Sequence, residues 1–166
     1  MFDESDEEYS LTFREAYPRV FGTVKVIVRD RGRAEDVTQD AFVQLYANWS
    51  RISHYERPEA WVRRVAIRMA VRDAKRESAR PRLELAGSVT KIEHAPDLDV
   101  RRAITALPPV QRATVALFYL EDLPVEDVAR ILGSSRTAVK VNLHKARARL
   151  AEALGEQVEE VGHDVG

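Results

Sequence analysis

The chain contains no cysteine, which excludes a disulfide framework, a thiolate metal site and a thiol redox sensor. No apolar run approaches the roughly 20 residues that a membrane-spanning helix needs. No positively charged start precedes an apolar stretch, so no leader is expected and the chain is expected in the cytoplasm, away from any membrane. Sustained strand alternation is missing as well. The four histidines, His54, His94, His144 and His163, stand far apart without metal-ligand spacing. There is no glycine-rich phosphate loop and no serine in a nucleophile elbow. No enzyme, metal site or cofactor is expected.

What is plentiful is charge, unevenly placed. The 26 basic and 27 acidic side chains nearly cancel, to a net charge of -1. Asp3, Glu4, Asp6, Glu7 and Glu8 load the N-terminus, and Glu156, Glu159, Glu160 and Asp164 load the C-terminus. Positive charge collects in two internal blocks, and this asymmetry says more about partners than the sum does.

Apolar residues recur at helical spacing. A first helix is expected over about 11–29, with Phe13, Tyr17, Phe21, Val24 and Val28 on one side and Gly32 as the stop signal after it. The next helix carries Glu35 and Asp36 in its first turn and buries Val37, Ala41, Leu45 and Trp49. A loop, SRISHYERP, leads to a third helix over about 59–80, with Trp61, Val65 and Met69 stacked on one face. Pro81, Gly87 and Pro96 then interrupt a stretch too long for an ordinary loop in one compact domain. Short helices follow over about 98–106, 110–120, 125–132 and 135–154. The fold class is all-α: two small helical domains, residues 11–80 and 98–154, joined by a flexible linker over 81–97. The first reads as a three- to four-helix bundle and the second as a helix-turn-helix.

The second domain contains LPVEDVARILGSSRTAVKVNLHKARARL. Val128, Ala129 and Leu132 pack a short helix, Gly133 supplies a left-handed turn, and Val139 and Leu143 pack the helix that follows. In a helix-turn-helix the second helix enters the major groove and its forward residues meet base edges. Ser134, Ser135, Arg136, Thr137 and Lys140 are those forward residues, and Arg and Lys can reach guanine acceptors. His144, Lys145, Arg147 and Arg149 lie further back, where phosphates run. The same residues would also suit a solvated basic helix in a hairpin without a ligand.

The other basic block repeats Arg64, Arg68, Arg72 and Arg76 at four-residue spacing, with Arg57 ahead of it. His54 and Tyr55 in the preceding loop are flat rings of the kind that stack on unpaired bases, so a basic track for single-stranded DNA is one reading. The other is a solvated arginine face, with Trp61 in the core and the loop rings undecided. Asp36, Gln39 and Asp40 make an acidic, polar helix face that suits a protein partner, or water.

Taken in order, these segments resemble a bacterial sigma factor of the extracytoplasmic-function group. AEDVTQDAFVQLY resembles that family's region 2.2, ERPEAWVRRVAIRMAVRDAKRE its regions 2.3 and 2.4, and ALPPVQRATVALFYLEDLPVEDVARILGSSRTAVKVNLHKARARL its region 4. The resemblance implies that Asp36, Gln39 and Asp40 meet the beta-prime clamp helices of core RNA polymerase, and that region 4 meets its beta flap. It implies that His54, Tyr55, Arg57, Arg64, Arg68, Arg72 and Arg76 serve the opened −10 element. Ser134, Ser135, Arg136, Thr137, Lys140, His144, Lys145 and Arg147 would serve the −35 duplex. Promoter DNA and core polymerase are the implied partners, and an anti-sigma factor would cover the interdomain cleft and the region 2.2 face. Arg68 and Arg72 stand where relatives carry asparagine or a short acid. Thr137, Val141 and Asn142 replace the usual glycine, serine and arginine, and Pro124 replaces a serine cap. Two other functions stay open on the residues alone: a standalone helix-turn-helix regulator that binds duplex DNA unaided, and a sigma-like module that titrates another regulator.

Overall fold

The computed structural model describes residues 3–80 and 96–155, and every regular element among them is helical. The linker residues 81–95, His94, His163 and the C-terminal acids lie outside the described residues.

Helix α1 (Glu4–Val28) begins earlier than the apolar spacing predicts. Glu4, Asp6 and Glu7, expected as part of an acidic tail, occupy its first turn, where acids favour the helix dipole. Tertiary anchors hold this end in place. The Trp49 indole donates to the Ser5 carbonyl at 3.0 Å, and the Tyr9 hydroxyl donates to the Phe42 carbonyl at 2.8 Å. Tyr9, Phe13, Tyr17, Phe42 and Trp49 pack there in edge-on, tilted and stacked pairs.

Gly32 is not the stop. Arg29 ends α1 with a left-handed backbone (φ 68°), and Asp30 caps α2 (Arg31–Ala47), its carboxylate accepting from the Arg33 amide at 2.8 Å. An aspartate cap satisfies an orphan amide directly, so Gly32 falls inside the first turn, and Glu35 and Asp36 lie one turn further on. The short α3 (Trp49–Ile52) occupies the start of the expected loop. Helix α4 (Pro58–Ala79) starts on a proline whose missing N–H costs nothing there. Its buried line is Val62, Ala66, Ile67, Ala70 and Ala74, whereas Trp61, Val65 and Met69 sit half-buried at the margin of the core. The alanines let α1 and α2 approach closely; a bulky ridge would hold them off.

The second unit comprises α5 (Pro96–Thr105), α6 (Pro109–Val115), α7 (Val125–Leu132) and α8 (Arg136–Leu154). Helix α6 does not run on regularly to Leu120. It widens into a π-helical turn over Ala116–Leu120, closed by the Glu121 amide on the Ala116 carbonyl at 3.1 Å. Helix α7 ends at Gly133 (φ 63°), as a left-handed turn demands, and Ser135 caps α8 by accepting from the Ala138 amide at 3.0 Å.

The two units pack on each other. Val24 and Ile27 of α1 and the alanines of α4 share one buried cluster with Ala113, Leu117, Val128 and Ile131. Arg112, only 1% exposed, crosses between them. It donates to the carbonyls of Ile27 (2.8 Å) and Leu107 (2.6 Å), while Arg29 reaches the Thr105 carbonyl at 2.9 Å. Burial, then the nearby Arg29 and Arg33 charges, lower the Arg112 pKa to about 10, so it stays charged at neutral pH.

Candidate nucleic-acid interface

The helix-turn-helix takes the geometry expected of it. Val128, Ala129 and Ile131 of α7 and Val139 and Leu143 of α8 bury the inner faces, with Leu132 half-buried beside them. That packing leaves Ser134, Ser135, Arg136, Thr137, Lys140, His144, Lys145 and Arg147 exposed along one end and outer side of α8. Two of these already have partners. Arg136 pairs with Glu126 of α7 at 3.3 Å. Arg147 donates to the Tyr119 hydroxyl at 2.6 Å, and its guanidinium lies 5.9 and 5.7 Å from the Phe118 and Tyr119 ring centroids. A cation so placed is oriented by the ring faces.

His54, Tyr55 and Arg57 are exposed before α4. Tyr55 and Trp61 line a cleft of about 420 Å³ together with Arg57, Arg63 and Arg64, and its opposite wall is Asp127, Arg130 and Ile131 of α7. Trp61 therefore combines both readings: it packs on the core and still shows an edge to this cleft. Further along the ridge, Arg68 donates to the carbonyls of Ile131 and Arg130, at 2.9 and 3.0 Å. Arg72 and Arg76, both exposed, turn toward α2 and share a cleft of about 250 Å³ with Asp36 and Asp40. Arg33 and Asp73 join it, paired to each other, and Arg33 also meets Glu77 at 3.7 Å. The evenly spaced arginine ridge is thus divided between two neighbours. Gln39 is exposed on α2 with Asp36 and Asp40.

Sequence spacing missed Glu121, Arg63 and Thr23. The Glu121 side chain is only 5% exposed; it accepts from the Thr23 hydroxyl at 2.5 Å and lies 3.5 Å from the Arg63 guanidinium. These three come from distant parts of the chain, and no local pattern announces them. Among the described residues no group of acidic or histidine side chains could hold a metal, and no helix is long and apolar enough to cross a membrane.

Residues 12–80 match the family model described as Sigma-70 region 2, and residues 97–150 match that described as Sigma-70, region 4. The chain belongs to the sigma-70 family. Its relatives place it in the extracytoplasmic-function group. The RNA polymerase sigma-E factor of Streptomyces avermitilis is 33% identical over 153 residues, covering 89% of this chain and 84% of that one. The sigma-E factor of Streptomyces coelicolor is 31% identical over 153 residues, covering 89% and 85%. The ECF RNA polymerase sigma factor SigM of Mycobacterium tuberculosis is 28% identical over 149 residues, covering 86% and 75%. The sigma-70 fold is shared with RpoE of Bartonella quintana, solved in complex with the anti-sigma factor NepR. That likeness has a TM-score of 0.65 at 19% identity, covering 89% of this chain and 97% of that one.

Proposed function

We propose that this sigma factor binds core RNA polymerase and directs it to promoters through −10 and −35 elements, lending recognition and strand opening to an enzyme that makes the RNA. It would act in the cytoplasm, where that polymerase works. The observation that carries this reading is the presence of regions 2 and 4 on one chain, in order, with the forward residues of the recognition helix exposed.

Asp36, Gln39 and Asp40 are the residues we assign to the polymerase clamp helices, and their exposure on α2 supports this. Tyr55, Arg57 and Arg64 at the cleft, with His54, Arg68, Arg72 and Arg76, are assigned to the opened −10 strand. Aromatic faces beside a basic groove suit unpaired bases of any sequence. Arg136, Thr137 and Lys140, next to Ser134 and Ser135, are assigned to −35 base edges, and His144, Lys145 and Arg147 to phosphates. The RpoE relative was solved with an anti-sigma factor, and we assign such a partner to this chain too, seated over the cleft and the acidic α2 face.

The test is the affinity of the purified chain for bacterial core polymerase at moderate salt, followed by transcription from a matching promoter. Nanomolar binding with promoter-dependent transcript supports the proposal. Absence of binding overturns it and leaves a standalone DNA-binding protein, to be recognised by tight, steeply salt-dependent binding to duplex DNA alone.

A further inference from the structure

We propose that the sigma factor inhibits itself: region 4 sits on the single-strand track of region 2, and the buried Glu121 carboxylate between Thr23 and Arg63 latches it there. The proposal rests on the sigma reading for what the track is for.

The cover is visible in the cleft. Tyr55, Arg57 and Arg64 are faced across it by α7, and Asp127 places a carboxylate in the space that a strand's phosphates would enter. Arg68 is occupied as well. Its two bonds go to the last carbonyls of α7, which have no partner within their own helix. In this arrangement Arg68 serves as a helix cap and is not free to meet a phosphate. A strand entering the track must displace both Asp127 and the end of α7.

The latch lies at the other edge of the same contact. A carboxylate as buried as Glu121 needs compensating partners, and both of its partners belong to the opposite unit. Separating the units returns Glu121, Thr23 and Arg63 to water. Two further atoms tell against a permanent union: Arg63 Nε and Arg112 Nη2 are buried without any hydrogen-bond partner. Unmet donors of this kind weaken a closed state, since water would satisfy them on opening. An apolar core shared across a polar, incompletely satisfied seam is a two-state element that a competing ligand can shift.

The experiment uses the full chain. Because it has no cysteine of its own, spin labels can be placed at Ser50→Cys and Ala153→Cys, both exposed positions. Distances are measured in the wild-type background, in Glu121→Ala and in the near-isosteric Thr23→Val. Binding is then read with a fluorescein-labelled, adenine- and thymine-rich single-stranded oligonucleotide. We expect one narrow distance in the wild type and a broadened, longer distribution in both variants. Single-strand affinity should rise about tenfold, as it does when a competent state populated at about a tenth becomes dominant. Unchanged far-ultraviolet helicity in Thr23→Val separates opening from unfolding. A broad wild-type distribution overturns the proposal, as do variants that stay closed or that open without gaining affinity. Core-polymerase binding by the wild type is measured separately. Its loss counts against the sigma reading, while its presence assigns any failure above to the latch alone.

Discussion

The guanidinium of Arg68 caps the end of α7 by donating to the Ile131 carbonyl at 2.9 Å, across 63 residues of sequence, and to the neighbouring Arg130 carbonyl at 3.0 Å. The planar fork of arginine spans two adjacent acceptors, whereas a lysine ammonium is a point donor. Arg68→Lys is therefore expected to lower unfolding stability by about 1 kcal/mol, the net worth of one lost bond, read as a lower urea midpoint with unchanged slope.

Gly133 ends the same helix at φ 63°, and a Cβ built there would lie 3.6 Å from Arg68 Nη2, an ordinary contact. Space is not the obstacle; the left-handed backbone is. Gly133→Ala should cost about 1–2 kcal/mol for that conformation alone, visible as a fall in melting temperature without loss of helical signal below it.

Asp36 is exposed on α2 and makes no ion pair among the described residues. Asp36→Arg should leave the melting curve in place and weaken core-polymerase binding by about 30-fold or more, the factor of an interface hot spot near 2 kcal/mol. Normal affinity in a pull-down titration would remove Asp36 from the interface.

Arg136 and Glu126 form an exposed pair, worth little to stability. Arg136→Ala should therefore fold normally and bind polymerase normally. If Arg136 reads a base, use of the −35 element should fall by about 1–3 kcal/mol in promoter binding. Unchanged transcription across −35 variants would make Arg136 a surface residue only.

Burial, with the neighbouring Tyr46 second, raises the Tyr9 pKa above its ordinary 10.0. The folded chain thus holds this proton more tightly than the unfolded one. The stability that Tyr9 contributes is complete below pH 10 and is lost as the pH climbs through the raised value. Tyr9→Phe should lose about 1 kcal/mol at neutral pH, with its bond to Phe42, and then show a shallower loss above pH 10 than the wild type in parallel urea titrations.

Helix order, the left-handed Gly133 and the exposed forward face of α8 were legible because they follow from local periodicity and turn chemistry. The early start of α1 was not, since Ser5 and Tyr9 are fixed by Trp49 and Phe42 on another helix. Even spacing of Arg64, Arg68, Arg72 and Arg76 suggested one track, yet α7 claims one arginine and the acids of α2 flank two others. Periodicity reports which residues share a side of a helix; it is silent on how many neighbours divide that side. Glu121 was invisible for the same reason, as its partners are remote in sequence.

The π-helical turn over Ala116–Leu120 makes the length of that segment a matter of angle. Each residue of an α-helix turns the chain by about 100°, so removing one residue there would act as a rotation more than a shortening. Tyr119 and Leu120 would swing from solvent toward the seam, and Glu121 would swing out of it. The single extra residue is a phase setting for everything downstream, and a deletion in this turn should be tolerated far less well than several substitutions on its exposed side.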